Sequence, residues 1–127
     1  MSIFDDNELK FLIEQCRKDS KVVSLILFGS HAKNKAKKNS DIDLCIISKD
    51  KYRFSEFEYL YEVSDRFDIT FLEQLPFIMQ HRIFYEGIVL VNNDYKSYKK
   101  IRRRIVGQYR GAEKIRNKYN KKLIESI

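Results

Sequence analysis

LILFGSHAKNKAKKNSDIDLCII, residues 25–47, is the stretch that decides the fold. Its left flank completes VVSLILF (22–28), an apolar run rich in Val, Ile and Leu between Lys21 and Gly29. Such a run reads as a buried strand. Gly29-Ser30 follows at once, and the next ten residues, HAKNKAKKNS, are polar and basic, a helical turn and then a loop. DIDLCII (41–47) reads as a second strand. Its period of two puts Asp41, Asp43 and Cys45 on one face and Ile42, Leu44 and Ile46 on the other.

Two carboxylates at i and i+2 on a strand project from the same face. Partly buried and unpaired, they repel each other. A divalent cation relieves that repulsion, and hard oxygen ligands suit Mg²⁺. On the preceding strand, glycine lets backbone approach a phosphate closely, and the Ser30 hydroxyl and nearby N–H groups can hold its oxygens. An anion site at Gly29 and Ser30 and a cation site at Asp41 and Asp43 are what a metal-bound nucleoside triphosphate requires. The bland reading of the carboxylates is a solvated strand end, and that of Ser30 a helix N-cap.

The elements to either side extend this plan. Residues 5–18, DDNELKFLIEQCRK, form an amphipathic helix, with Leu9, Leu12, Ile13 and Cys16 at helical spacing and acids in its first turn. Phe54, Phe57, Leu60, Tyr61 and Ser64 step by three and four, predicting a second helix over 53–65. FDITFL (67–72) is a third strand, with Phe67, Ile69 and Phe71 towards the core and Asp68 on the opposite face. Pro76 fits the first turn of a short helix ending near Tyr85. Gly87 breaks the chain, and IVLV (88–91) is a fourth strand. Asn92-Asn93-Asp94 then supplies turn and cap chemistry. Tyr98, Ile101, Ile105, Tyr109, Ala112, Ile115, Tyr119 and Leu123 predict one long helix over 95–125. Its apolar stripe runs about nine turns, longer than a four-stranded body covers, which marks it as a docking element. Three carboxylates, Asp41, Asp43 and Asp68, suffice for two metal ions, one activating an attacking hydroxyl and the other holding the triphosphate.

The charge distribution has the same division. The chain of 127 residues carries a net +7. Residues 95–127 hold 12 Lys/Arg against 2 Asp/Glu, whereas residues 1–94 hold 13 against 16. A mildly acidic body (1–94) thus precedes a basic helix (95–127), within one expected domain over 1–127. The basic segment favours an acidic partner, either RNA or an acidic protein face. Arg102, Arg103 and Arg104 read first as a solvated face, and Tyr98, Tyr109 and Tyr119 lie on the apolar stripe, so packing explains them better than base stacking. No apolar run approaches the roughly 20 residues of a membrane span. The acidic start MSIFDDNELK does not read as a secretory signal. Cys16 and Cys45, 29 residues apart, show no metal-ligand spacing and read as small core residues. A cytoplasmic protein without membrane contact is the expectation. Lys33, Lys35, Lys37 and Lys38 read as a solvated loop face, His31 as a residue within reach of a phosphate, and His81 as structural or exposed.

The segment 25–47, with Gly-Ser, ten residues, Asp-x-Asp and a later Asp on a third strand, resembles the signature of the polymerase-beta-type nucleotidyltransferase superfamily. The short chain resembles its minimal nucleotidyltransferase (MNT) group, many of whose members are antitoxins paired with a HEPN-domain ribonuclease toxin. The resemblance covers about residues 20–92. It implies an α/β (α+β) fold, a mixed four-stranded sheet flanked by helices, here with a long C-terminal helix. It also implies an Mg²⁺-dependent enzyme, with two ions, that transfers AMP from ATP to a hydroxyl. The implied acceptor is a tyrosine of a HEPN toxin, so that the chain acts as the antitoxin. Asp41, Asp43 and Asp68 take the places of the catalytic and metal-binding acids, and Gly29 and Ser30 those of the nucleotide-binding pair. Two rivals are a small-molecule nucleotidyltransferase of the aminoglycoside-modifying kind and an antitoxin that acts by binding alone. One departure is Asn34, where family members often carry glycine. Asn tolerates the left-handed conformation, so the turn is expected to survive.

Overall fold

The structure, a computed structural model, describes residues 3–34, 41–51, 53–63 and 65–108. Asp6 starts the first helix, α1 (Asn7–Lys18), by accepting from the N–H groups of Glu8 at 2.9 Å and Leu9 at 3.1 Å. Arg17 and Lys18 in the last turn suit the negative end of the helix dipole. Leu9, Leu12 and Cys16, at steps of three and four, form its buried side.

Four strands follow: β1 (Val22–Phe28), β2 (Ile42–Ser48), β3 (Phe67–Phe71) and β4 (Ile88–Asn92). They form one sheet in the order β3-β2-β1-β4. β1 is antiparallel to both β2 and β4, and β2 is parallel to β3, so the sheet is mixed as expected. A parallel pair needs a long crossover. Here residues 49–66 make it.

That crossover differs from the helix expected over 53–65. It consists of two short 3₁₀ segments, Phe54–Glu56 and Glu58–Glu62, with Ser64 outside the described residues. The inward residues explain the difference. Phe57, Leu60 and Val63 are buried and Phe54 is packed behind them. Their spacing is three, the period of a 3₁₀ helix, whereas an α-helix would rotate such a row off the core. Tyr61, on the expected apolar face, is 57% exposed.

The two faces of the sheet bury separate clusters. On one, Leu25 and Leu27 of β1, Leu44 and Ile46 of β2 and Phe67 and Phe71 of β3 pack against α1 and the crossover. On the other, Val23, Ile26, Cys45 and Ile47 pack against Ile83 and Phe84 of helix α2 (Phe77–Glu86) and Ile105 of helix α3. α3 covers 95–108. The expected continuation of α3 to 125 lies outside the described residues. Its first turns are core, with Ile105 2% exposed and Tyr98, Ile101 and Val106 packed on the second cluster. Arg102, Arg103 and Arg104 are exposed.

Three joints fix this arrangement. Pro76 occupies the N-cap of α2, one place before the expected first helical turn. Gly87 ends α2 where a Cβ would lie 2.5 Å from Ile26 Cγ2 and 3.3 Å from the Leu27 carbonyl, so the helix end sits directly on β1. After β4, the Asn93 side-chain amide donates to the carbonyls of Cys16 at 2.9 Å, Val22 at 3.1 Å and Asp19 at 3.4 Å. It thereby satisfies carbonyls where α1 gives way to β1. Asp94 then caps α3, accepting from the N–H and the hydroxyl of Ser97. Both cysteines are free and buried, and burial pushes the Cys16 thiol up to about 12. No helix of the described residues is long and apolar enough to cross a membrane.

Candidate active site

Sheet register alone brings two of the predicted carboxylates together. In the parallel β2–β3 pair Asp43 stands opposite Asp68, and in the antiparallel β1–β2 pair it stands opposite Phe28, just before Gly29. Asp43 shares its face with Cys45, and Asp68 faces away from Phe67, Ile69 and Phe71, as the alternation requires.

Gly29 is required by geometry on two counts. Its φ is +74°, in the left-handed region, and a Cβ there would run into Asp43 Oδ2 and lie 3.2 Å from Cγ. The backbone that leaves β1 therefore closes over the Asp43 carboxylate. The turn it opens, 29–34, is held by the Lys33 N–H donating to the Gly29 carbonyl at 3.2 Å and ends at Asn34 with φ 57°. Asn34 thus adopts the left-handed conformation expected of it.

Gly29, Asp43 and Asp68 line a cleft of about 300 Å³ with Phe28, Lys33, Thr70, Leu75, Met79, Arg82 and Glu86. Ser30 sits half-buried in the turn beside Gly29, and Asp41 is exposed just before β2 begins. Neither lines the cleft itself.

Asp43 lies among like charges. Burial raises the Asp43 carboxyl above its ordinary range, the charges of Asp68 and Asp41 raise it further, and so does a hydrogen bond with Asp68. The charge of His31 works in the opposite direction. Thr70 Oγ1, two residues along β3 from Asp68, is buried without a hydrogen-bond partner among the described residues. Carboxylate oxygens and a hydroxyl at one cleft floor are hard donors that fit a divalent cation and a bound polar ligand. Among the described residues no three His, Cys, Asp or Glu side chains are already gathered as a metal site; Asp43 and Asp68 stand side by side on β2 and β3, and Asp41 lies just before β2.

The α2 side of the cleft was not foreseen from sequence. Leu75, Met79, Arg82 and Glu86 step by four, three and four, a helical stripe running from just before α2 to its last residue. That periodicity, following the Asp68 strand, was the available signal. Lys33 Nζ pairs with a Glu86 carboxylate oxygen at 2.9 Å. His81 lies on α2, its ring stacked on that of Tyr85 at 5.9 Å.

Comparison with known proteins agrees with this geometry. A Methanocaldococcus jannaschii protein, provisionally named a protein adenylyltransferase, is 32% identical over 88 residues, 65% of this chain and 70% of that one. Among solved structures, a chain of a toxin–antitoxin crystal structure with AMP-PNP has the same fold, with a TM-score of 0.68. The identity there is 17%, and the match covers 94% of this chain and 99% of that one. A chain of the Shewanella oneidensis complex of tri-AMPylated HEPN toxin and MNT antitoxin superposes with a TM-score of 0.61 at 16% identity, over 93% and 96% of the two chains. A family model described as polymerase beta, nucleotidyltransferase matches residues 10–96, from the middle of α1 through β4 and into α3. With its acids on neighbouring strands beneath a glycine turn, the chain belongs to the polymerase beta nucleotidyltransferase family.

Proposed function

We propose that this chain is an Mg²⁺-dependent protein adenylyltransferase that transfers AMP from ATP to a tyrosine hydroxyl of a HEPN-type ribonuclease, and so acts as its antitoxin. The observation that carries the proposal is the Asp43–Asp68 pair under the Gly29 turn, at the floor of an open cleft. The name of the M. jannaschii relative and the toxin–antitoxin setting of the structural neighbours support it. The same reading takes residues 1–127 as one domain, a body with a basic helix appended.

Asp41, Asp43 and Asp68 would hold the metal, with two ions expected by family resemblance. When bound it would neutralise triphosphate charge and lower the pKa of the acceptor hydroxyl. Gly29 and Ser30 present backbone N–H groups and a hydroxyl to the β- and γ-phosphates. Asp43, shielded by the turn, would be the innermost of the carboxylates that hold that cation. Asp68, the more exposed of the pair, takes the acceptor proton as the tyrosine oxygen attacks the α-phosphorus. The bond to the bridging oxygen breaks in line, AMP joins the tyrosine, and pyrophosphate leaves.

Incubation with labelled ATP, Mg²⁺ and a HEPN protein from a neighbouring reading frame tests this, with mass spectrometry reading AMP on tyrosine. AMP on the partner that disappears with EDTA is the expected result. Absence of transfer in the presence of Mg²⁺, with the toxin still silenced at equimolar ratio, would replace the proposal by an antitoxin that acts by binding alone.

A further inference from the structure

The turn 29–34 must hold a highly charged ligand, yet little in the turn itself makes it rigid. It begins at Gly29 and ends at Asn34, both with positive φ, and a single described backbone bond, Lys33 N–H to Gly29 carbonyl, spans it. A side chain from elsewhere supplies a further tie. Lys33 reaches across the mouth of the cleft to Glu86, 2.9 Å away, at the last residue of α2. Glu86 is itself well fixed. The next residue, Gly87, touches Ile26 and the Leu27 carbonyl so closely that no side chain fits, and Ile83 and Phe84 in the turn before are buried. The turn leaves the end of β1, and Glu86 is seated on the end of β1. The ion pair closes that short circuit.

We propose that Glu86 is a positioning residue for nucleotide binding, holding the anion-binding turn in place through Lys33. The proposal rests on nucleotidyl transfer at the Asp43 site. Glu86 carries a negative charge on the cleft wall, so its direct effect on a triphosphate is repulsive. Its benefit comes through the turn, whose backbone N–H groups need no reorganisation when the phosphates arrive. These two effects have opposite signs, which makes the role measurable.

The test is calorimetric titration of AMP-PNP with Mg²⁺ into the wild-type protein, Glu86→Gln and Glu86→Asp, with hydrogen exchange read at the Lys33 amide. Glu86→Gln removes the ion pair and should weaken binding about two- to fivefold, the range of a partly exposed pair. It should also speed exchange at Lys33. In turnover, KM should rise with kcat little changed. Glu86→Asp keeps the charge and should recover most of the affinity. Tighter binding by Glu86→Gln would show that Glu86 merely competes with phosphate for Lys33 and would overturn the proposal. Unchanged affinity and exchange would overturn it as well. Failure of the wild-type protein to bind AMP-PNP would instead count against the nucleotidyltransferase reading of the site.

Discussion

The two faces of one sheet treat their acids in opposite ways. On the α1 face, Asp6 caps the helix and takes an ion pair from Arg66, and Asp19 accepts from the Lys21 N–H and the Tyr59 hydroxyl. Burial alone would raise both carboxyls. The hydrogen bonds and charges of Arg66 and Lys21 outweigh it, and both sit below their ordinary range. On the α2 face, Asp43 has another acid as its neighbour and sits above its ordinary range. The larger apolar cluster lies with Asp6 and Asp19, and the cleft lies with the Asp43–Asp68 pair. One face is built to hold the fold together, and the other keeps a charge imbalance that a ligand can correct.

The largest test of that division is Phe57→Ala. Phe57 is fully buried on the α1 face, its ring 5.3 Å from that of Phe71. Its truncation should cost about 3–5 kcal/mol in urea unfolding. A loss below about 1 kcal/mol would remove the α1 face from its structural role. Next is Asp43→Asn, expected to slow AMP transfer by about 10²-fold or more, or about 2.7 kcal/mol at the transition state. Its stability should move the other way. A carboxyl whose pKa is raised by folding binds its proton more tightly in the native state. Its penalty is therefore absent at low pH and appears as pH rises through the raised value. In the metal-free protein, Asp43→Asn should melt slightly higher than wild type near pH 7, with the gain vanishing on acidification. Wild-type transfer by this variant, or a clear drop in its melting temperature at pH 7, would dissolve the contrast between the faces.

Asp6→Ala gives the smallest effect and the opposite pH dependence. Loss of the cap should cost about 1 kcal/mol at neutral pH. Because folding lowers the Asp6 pKa, that contribution is present above the ordinary aspartate range, near 4, and fades as pH falls through the lower native value. Thermal melts of this variant and wild type should converge in acid. If they stay equally far apart at all pH values, the carboxylate charge is not what stabilises α1.

Much of this was legible in the sequence because it depends on period and neighbours. Residues 22–28 form the strand expected from their apolar run, and alternation alone set Asp43 opposite Leu44 and Ile46, and Asp68 opposite Phe67 and Phe71. Asn34 adopts the backbone its side chain tolerates. The crossover was misjudged because aromatic and aliphatic residues at steps of three satisfy both helix types over a short window, and packing against α1 decides between them. Arg82 and Glu86 were not read as cleft residues for another reason. Their place in the cleft follows from α2 lying on the end of β1, a contact between residues some 60 positions apart in the chain.

Asn93 bears on how the molecule assembles over time. Its side-chain amide joins β4 to carbonyls 71 to 77 residues earlier in the chain. Contacts that close so long a loop form late, after the entropy of the intervening chain has already been lost to β1, β2 and β3. Asn93→Ala should then leave the refolding rate near that of the wild type and speed unfolding, moving one arm of the chevron and not the other. The residue that closes the sheet would thus set how long the native state lasts rather than how quickly it is reached.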